Sequence, residues 1–243
     1  MTELAYMTWD EWAPKYEAIE GTSSTIRAWL GHPPYLFATT DARRYEEAAS
    51  RDRNVVEHIA PTGHRHHVLA WDSFRKLLGE GDPFAETVAL ITPEEMQHWR
   101  LLSQLVEQDR VKRVFVLVFD GESLVRDWLD SRRAFHLVTG VRAEPADACL
   151  VEAARMLAAI PDLRNGRGKN AAVQLVRTAA DAGHAASAAD WLRAFFVAGG
   201  DFESARDLRR LIQEVENGVR HRVTRAYVDD IWSLIEERAT APH

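Results

Sequence analysis

Apolar positions along the first 145 residues change period several times, and each change marks an expected element. Trp9, Trp12 and Tyr16 recur at helical spacing behind Thr8, a helix cap whose partner Glu11 sits three residues on. Residues 21–34, with Gly31 and Pro33-Pro34, read as a loop, and Tyr35–Thr39 as a strand. The charged run 41–50 suits a short helix. Val55–Ala60 and His66–Ala70 carry β-branched and apolar residues around Pro61-Thr62-Gly63, which predicts a hairpin. Asp72 can cap a helix over 73–78, and residues 86–91 read as a further strand.

Thr92, Pro93 and Glu95 then mark a helix start, with Met96, Trp99, Leu102 and Val106 on its inner side. Val111–Phe119 is a nearly unbroken apolar run, the pattern of a strand buried on both faces. A helix over 122–130 and a strand over 134–139 complete the alternation, which indicates an α/β layer with parallel pairing. Gly140, Pro145 and Asp147 break the pattern. The segments 148–160, 170–182, 187–198, 204–216 and 224–238 are all helical in period, with glycines in the gaps. The expected architecture is therefore α+β or α/β. A mixed sheet with flanking helices occupies residues 1–145, and an all-helical domain occupies 146–243.

Composition narrows the setting. One cysteine, Cys149, leaves no internal disulfide and fits a reducing compartment. No basic leader followed by an apolar run opens the chain, and no apolar stretch approaches the ~20 residues of a membrane span. A soluble cytoplasmic protein with no membrane partner is the expectation. The net charge of −7 argues against general affinity for nucleic acid, although local patches can act independently of it. The oligomeric state has no sequence signal.

Four groups of residues could carry chemistry. His58, His64, His66 and His67 flank the expected hairpin, where imidazoles can converge on a divalent metal, the one cofactor the residues suggest. Solvated hairpin histidines are the plainer account. Asp120 and Glu122 follow the buried strand, where ligands of open α/β sheets collect, and are the expected catalytic carboxylates. Arg164, Arg167 and Lys169 surround Gly166 and Gly168 ahead of a helix, a plausible anion-binding loop that lacks the phosphate-loop spacing.

The fourth group is the strongest. Leu208, Leu211, Ile212 and Val215 form one stripe, while Arg206, Arg209, Arg210 and Gln213 form another about 200° around the same helix. Arg220 and Arg222 follow, so that six arginines face three acids between residues 204 and 226. The primary expectation is a binding or regulatory protein whose helical part contacts nucleic acid or an acidic protein surface. The alternative is a metal-assisted hydrolase of a phosphate-containing substrate, using Asp120, Glu122 and the histidines. The apolar stripe on 208–215 is further expected to pack against Val228, Ile231, Trp232 and Ile235 of the last helix.

Overall fold

The computed structural model describes residues 2–13, 19–32, 34–39, 45–46, 50–62, 66–70, 73, 87–91, 95–119, 123–184 and 186–241. The chain divides into two compact units, one of Met1–Leu129 with Arg133–Ala143 and one of Asp130–Arg132 with Glu144–His243. The first carries the sheet and the second is helical.

Among the described residues, seven strands form one mixed sheet: β1 (Glu3–Thr8), β2 (Tyr35–Thr39), β3 (His66–Ala70), β4 (Thr87–Ile91), β5 (Arg113–Val118), β6 (Phe135–His136) and β7 (Val141–Arg142). Their order is β3-β2-β4-β5-β1-β6-β7. Every pair is parallel except β6 with β7, so the strands from β3 to β6 share one carboxyl edge. Val114 to Val118 of β5 are all buried, as expected for a strand covered on both faces.

Helices α1 (Trp9–Trp12), α2 (Ile19–Leu30) and α3 (Arg51–Ile59) follow β1 and β2, while α4 (Met96–Glu107) and α5 (Leu124–Ser131) follow β4 and β5. On one face of the sheet Ala5, Met7, Phe37, Phe115 and Leu117 pack with Ile26 and Leu30 of α2 and Val55, Val56 and Ile59 of α3. The alternate residues Leu4, Tyr6, Leu36, Val114 and Val116 point to the opposite face and are equally buried. Right-handed crossovers put α4 and α5 on that side, because the chain there moves across the sheet in the other direction.

Four expectations change. Residues 3–8 form a central strand that no sequence signal marked. Residues 21–30, expected as loop, belong to α2, because Ile19, Ser23, Ile26 and Leu30 lie on one buried side despite a run of poor helix formers. Residues 55–59, expected as a strand, belong to α3, capped by the Ser50 hydroxyl accepting from the Arg53 amide. There is accordingly no hairpin with 66–70: β3 pairs parallel with β2. Helix α4 is capped by Glu95 with His98 closing the box, and its buried side is His98, Leu101, Leu102 and Leu105. The expected caps Thr92 and Pro93, and all of the 73–78 helix except Ser73, lie outside the described residues.

The helical unit contains α6 (Ala148–Ala158), α7 (Gly166–Asp181), α8 (Ala188–Val197), α9 (Phe202–Glu216) and α10 (Ile231–Thr240). Helix α6 packs with α8 and α10, and α9 packs with α7 and α8. Leu208, Leu211 and Ile212 are buried, as are Ile231, Trp232 and Ile235. Those two stripes are not each other's main partners, because residues 217–230 form a long non-helical connection rather than a tight turn. Val228 lies outside the helix and is exposed. The Gln174 side chain holds this connection: its carbonyl accepts from the amides of Ala226 (2.9 Å) and Tyr227 (3.0 Å), and its amide donates to the Tyr227 carbonyl (3.1 Å).

Gly168 shows how tightly the unit's first turn is closed. A Cβ there would lie 1.9 Å from the Asp162 carbonyl oxygen, so the loop before α7 lies directly on the helix. Gly168→Ala should lower unfolding free energy by about 1–3 kcal/mol through overpacking, read by urea denaturation. Unchanged stability would mean that the loop lifts off without cost.

Candidate functional site

The expected site residues divide sharply by surroundings. Asp120, Glu122 and His64 lie outside the described residues. His58 is on α3 rather than on a strand; its ring stands edge-on to Trp12 at 6.0 Å, and its carbonyl accepts from Arg27 at 2.6 Å. His66 opens β3 at the amino edge of the sheet, against Phe37. Phe119, the described residue just before Asp120, follows β5 at the other edge. Among the described residues, no group of three or more histidines, cysteines, aspartates or glutamates is placed to hold a metal.

At the glycine loop Arg164 is exposed but is engaged by acids of its own unit. The Arg164 amide donates to Asp162 Oδ1 at 2.8 Å, and its Nε lies 3.4 Å from the same oxygen and 3.7 Å from Asp207 Oδ2. The Arg164 amide, and then its guanidinium, hold the Asp162 carboxyl below the usual carboxylate range. Arg167 is exposed and Lys169 is half-buried.

The arginine stripe is largely in solvent. Asp201 caps α9 by accepting from the amides of Glu203 (2.8 Å) and Ser204 (3.0 Å). With the apolar side inward, Arg206 and Arg210 are exposed and Arg209 is half-buried. Arg210 Nη1 lies 3.9 Å from Glu214, whose other oxygen is 3.4 Å from Nε2 of the buried His221 side chain. Arg220 and Arg222 are exposed on the connection that follows. Among the described residues, Arg206, Arg220 and Arg222 enter no ion pair.

Sequence reasoning missed a second cluster, at the carboxyl edge of the sheet. The chain leaves β1 towards β2 and leaves the adjoining β5 towards β6, in opposite directions, which is where open α/β sheets form a crevice. Glu11 Oε2 there accepts from the Thr8 amide (2.8 Å) and hydroxyl (2.7 Å), completing the expected capping box. Its Oε1 lies 3.2 Å from Nε2 of His136, the last residue of β6. The Thr139 amide donates to His136 Nδ1 at 3.2 Å, so the ring proton belongs on Nε2, facing Glu11. Tyr6 meets the imidazole edge-on at 4.8 Å. On the other side of β1, the Arg51 guanidinium lies 4.7 Å over the half-exposed ring of Phe119, which is 5.7 Å from Trp9. The signal for Glu11 was present as a cap, but only the parallel pairing of β1 with β6 brings His136 to it.

Compared with known proteins, the chain matches no family model, no curated protein and no solved structure. Among the described residues no helix is long and apolar enough to cross a membrane.

Two measurements check this geometry. Nitrogen-15 spectra should show neutral His136 as the Nε2–H tautomer; an Nδ1–H tautomer would mean that Thr139 does not donate to the ring. A carboxyl titration should place Asp162 below the ordinary aspartate value of about 3.9. Because its folded value is depressed, its stabilising contribution is present above the unfolded value and fades as pH falls through the folded one.

Proposed function

We propose that the helical unit binds the phosphate backbone of nucleic acid through the exposed arginines of α9 and of the connection after it. The observation that carries this reading is the split character of α9: Leu208, Leu211 and Ile212 are wholly buried, while Arg206 and Arg210 stand in solvent and Arg220 and Arg222 follow. Guanidinium suits this role because it stays charged and offers paired N–H groups to phosphate oxygens. Phosphate contacts of this kind carry little sequence information, so the affinity is general and falls steeply with salt. An acidic protein surface would draw on the same charges but would not share the regular spacing of a phosphate backbone.

One observation favours a second reading for the α/β unit. Glu11 and His136 form a carboxylate–imidazole pair at the edge where such folds place their chemistry, and the accessible member is Glu11, with 30% of its side chain exposed. Glu11 would accept a proton from a bound small molecule, with His136 as its positioning residue. This reading needs no metal.

Mobility shift with a short duplex DNA and a single-stranded RNA tests the first reading. Binding should weaken sharply between about 50 and 200 mM salt. Replacing Arg206, Arg220 and Arg222 by alanine should flatten the log–log salt dependence by about 0.9 per lost duplex phosphate contact. The same variant should unfold within about 0.5 kcal/mol of the parent, since none of these side chains is buried. Failure of both nucleic acids to shift at low salt would end the nucleic-acid reading.

A further inference from the structure

The α/β unit also contains a cavity of about 590 Å³, a volume typical of small-molecule sites, which span roughly 300–1,000 Å³. Arg53, Val56 and Glu57 of α3 form one wall, Tyr45 and Glu46 stand beside them, and Pro61 follows the helix. We propose that this cavity binds a small organic cation of the alkylammonium class, with the Glu46 carboxylate as its counter-ion.

Three features lead to that class. The first is charge: among the described residues the lining carries two carboxylates, Glu46 and Glu57, against one guanidinium, Arg53, with the imidazole of His66 as the remaining ionisable group. Arg53 Nε donates to Glu57 Oε1 at 2.8 Å, one helical turn away, so those two charges offset each other. Among the described residues Glu46 enters no ion pair, so its charge is the uncompensated one there. A dicarboxylate or phosphate would enter against it, whereas an ammonium would be attracted.

The second feature is Tyr45, whose half-buried side chain packs against the core and also lines the cavity. The face of a phenol ring attracts a cation, and quaternary and primary ammonium groups are the ligands that use this best. The Tyr45 hydroxyl is pushed up from its ordinary pKa by burial and by the negative charge of Glu57, with Arg53 acting against the shift. Of these causes only the Glu57 carboxylate carries a sign, and it is the one that favours a cation at this wall.

The third is apolar surface. Val56, Ala60 and Pro61 supply aliphatic contacts at the same wall, suited to the methylenes of an alkyl chain rather than to a bare inorganic ion. A metal ion fits poorly for a second reason: among the described residues no cluster offers it three ligands. The cavity lies within the α/β unit and shares no residue with the arginine surface, so the outcome for one does not decide the other.

Isothermal titration of the full chain with putrescine, with succinate as the anionic counterpart of similar length, tests the proposal. Putrescine should bind saturably with one equivalent and succinate should not. Glu46→Gln should weaken putrescine binding by about tenfold or more, the loss expected when a charged partner becomes neutral. Glu46 is exposed, so this variant should keep the parent melting curve, whereas Tyr45→Leu, which also weakens binding, removes a side chain packed on the core. Three results would each overturn the proposal: no putrescine binding up to millimolar concentration, succinate binding in its place, or unchanged putrescine affinity in Glu46→Gln.

Discussion

The pairing of β1 with β5 is the contact on which the α/β unit depends. The two strands lie about 110 residues apart in the chain, yet they run parallel in register from Glu3 with Arg113 to Thr8 with Val118. Arg113 sits where three elements meet. Its Nε donates to Glu3 Oε2 across the strand pair at 2.9 Å, and Nη1 donates to the Trp29 and Leu30 carbonyls at 2.9 and 3.2 Å. Those carbonyls belong to the last turn of α2, which has no intrahelical donors left for them. One guanidinium thus joins the central strands to the helix that covers them. Gly31 fits the same point: it adopts φ +84°, and a Cβ there would stand 3.0 Å from Nη1. Such long-range pairing is entropically expensive to form. It is offset by burial of both faces of β5, at about 1.5–3 kcal/mol for each large apolar side chain.

Once β1 is central and parallel to its neighbours, the chemistry at the carboxyl edge follows from the topology. β6 is placed against β1 by two register pairs only, Ala5 with Phe135 and Tyr6 with His136. A strand so short contributes little ladder energy. Its position is reinforced by the hydrogen bond from the Leu137 amide to the Tyr6 carbonyl, and by His136 reaching Glu11. The same side chain that caps α1 therefore holds the end of β6. At β2 the logic repeats: the Thr39 hydroxyl donates to Asp52 Oδ2 at 2.7 Å, both residues being buried, which ties the strand end to the start of α3. Thr39 and Asp52 can be buried because each satisfies the other.

Much of this architecture is legible in the chain, and what is not has a common cause. The alternation of strand and helix, the doubly buried run at 114–118 and the helical second half all follow from hydrophobic period. Residues 55–59 illustrate the limit. Val55, Val56 and Ile59 are β-branched, which favours a strand locally, but their spacing also forms one helical side, and packing under the sheet selects the helix. Residues 19–30 fail in the same way from the other direction, because Gly21, Thr22, Ser23 and Ser24 obscure a side that only the sheet makes worth burying. Residues 3–8 are too short and too weakly bounded to stand out. The Glu11–His136 pair was illegible for a different reason: its members are 125 positions apart, and no local pattern specifies that β6 lies beside β1.

The charges of α9 illustrate how fold and function separate on one helix. Asp207 is buried and faces Arg164, so that pair fastens the loop before α7 to α9. Glu214 is held between Arg210 and the buried His221, which fixes the start of the connection to α10. Arg225 pairs with Asp229 at 3.0 Å farther along the same connection. These pairs account for why acids are interspersed among the arginines. Arg206, Arg220 and Arg222 are not spent in this way, and exposed guanidiniums without a counter-ion add little to stability. Removing them would make the chain more acidic without loosening any contact that shapes the unit. In a protein of net charge −7 these cations, one on α9 and two on the segment after it, are the groups that the proposed reading assigns to phosphate.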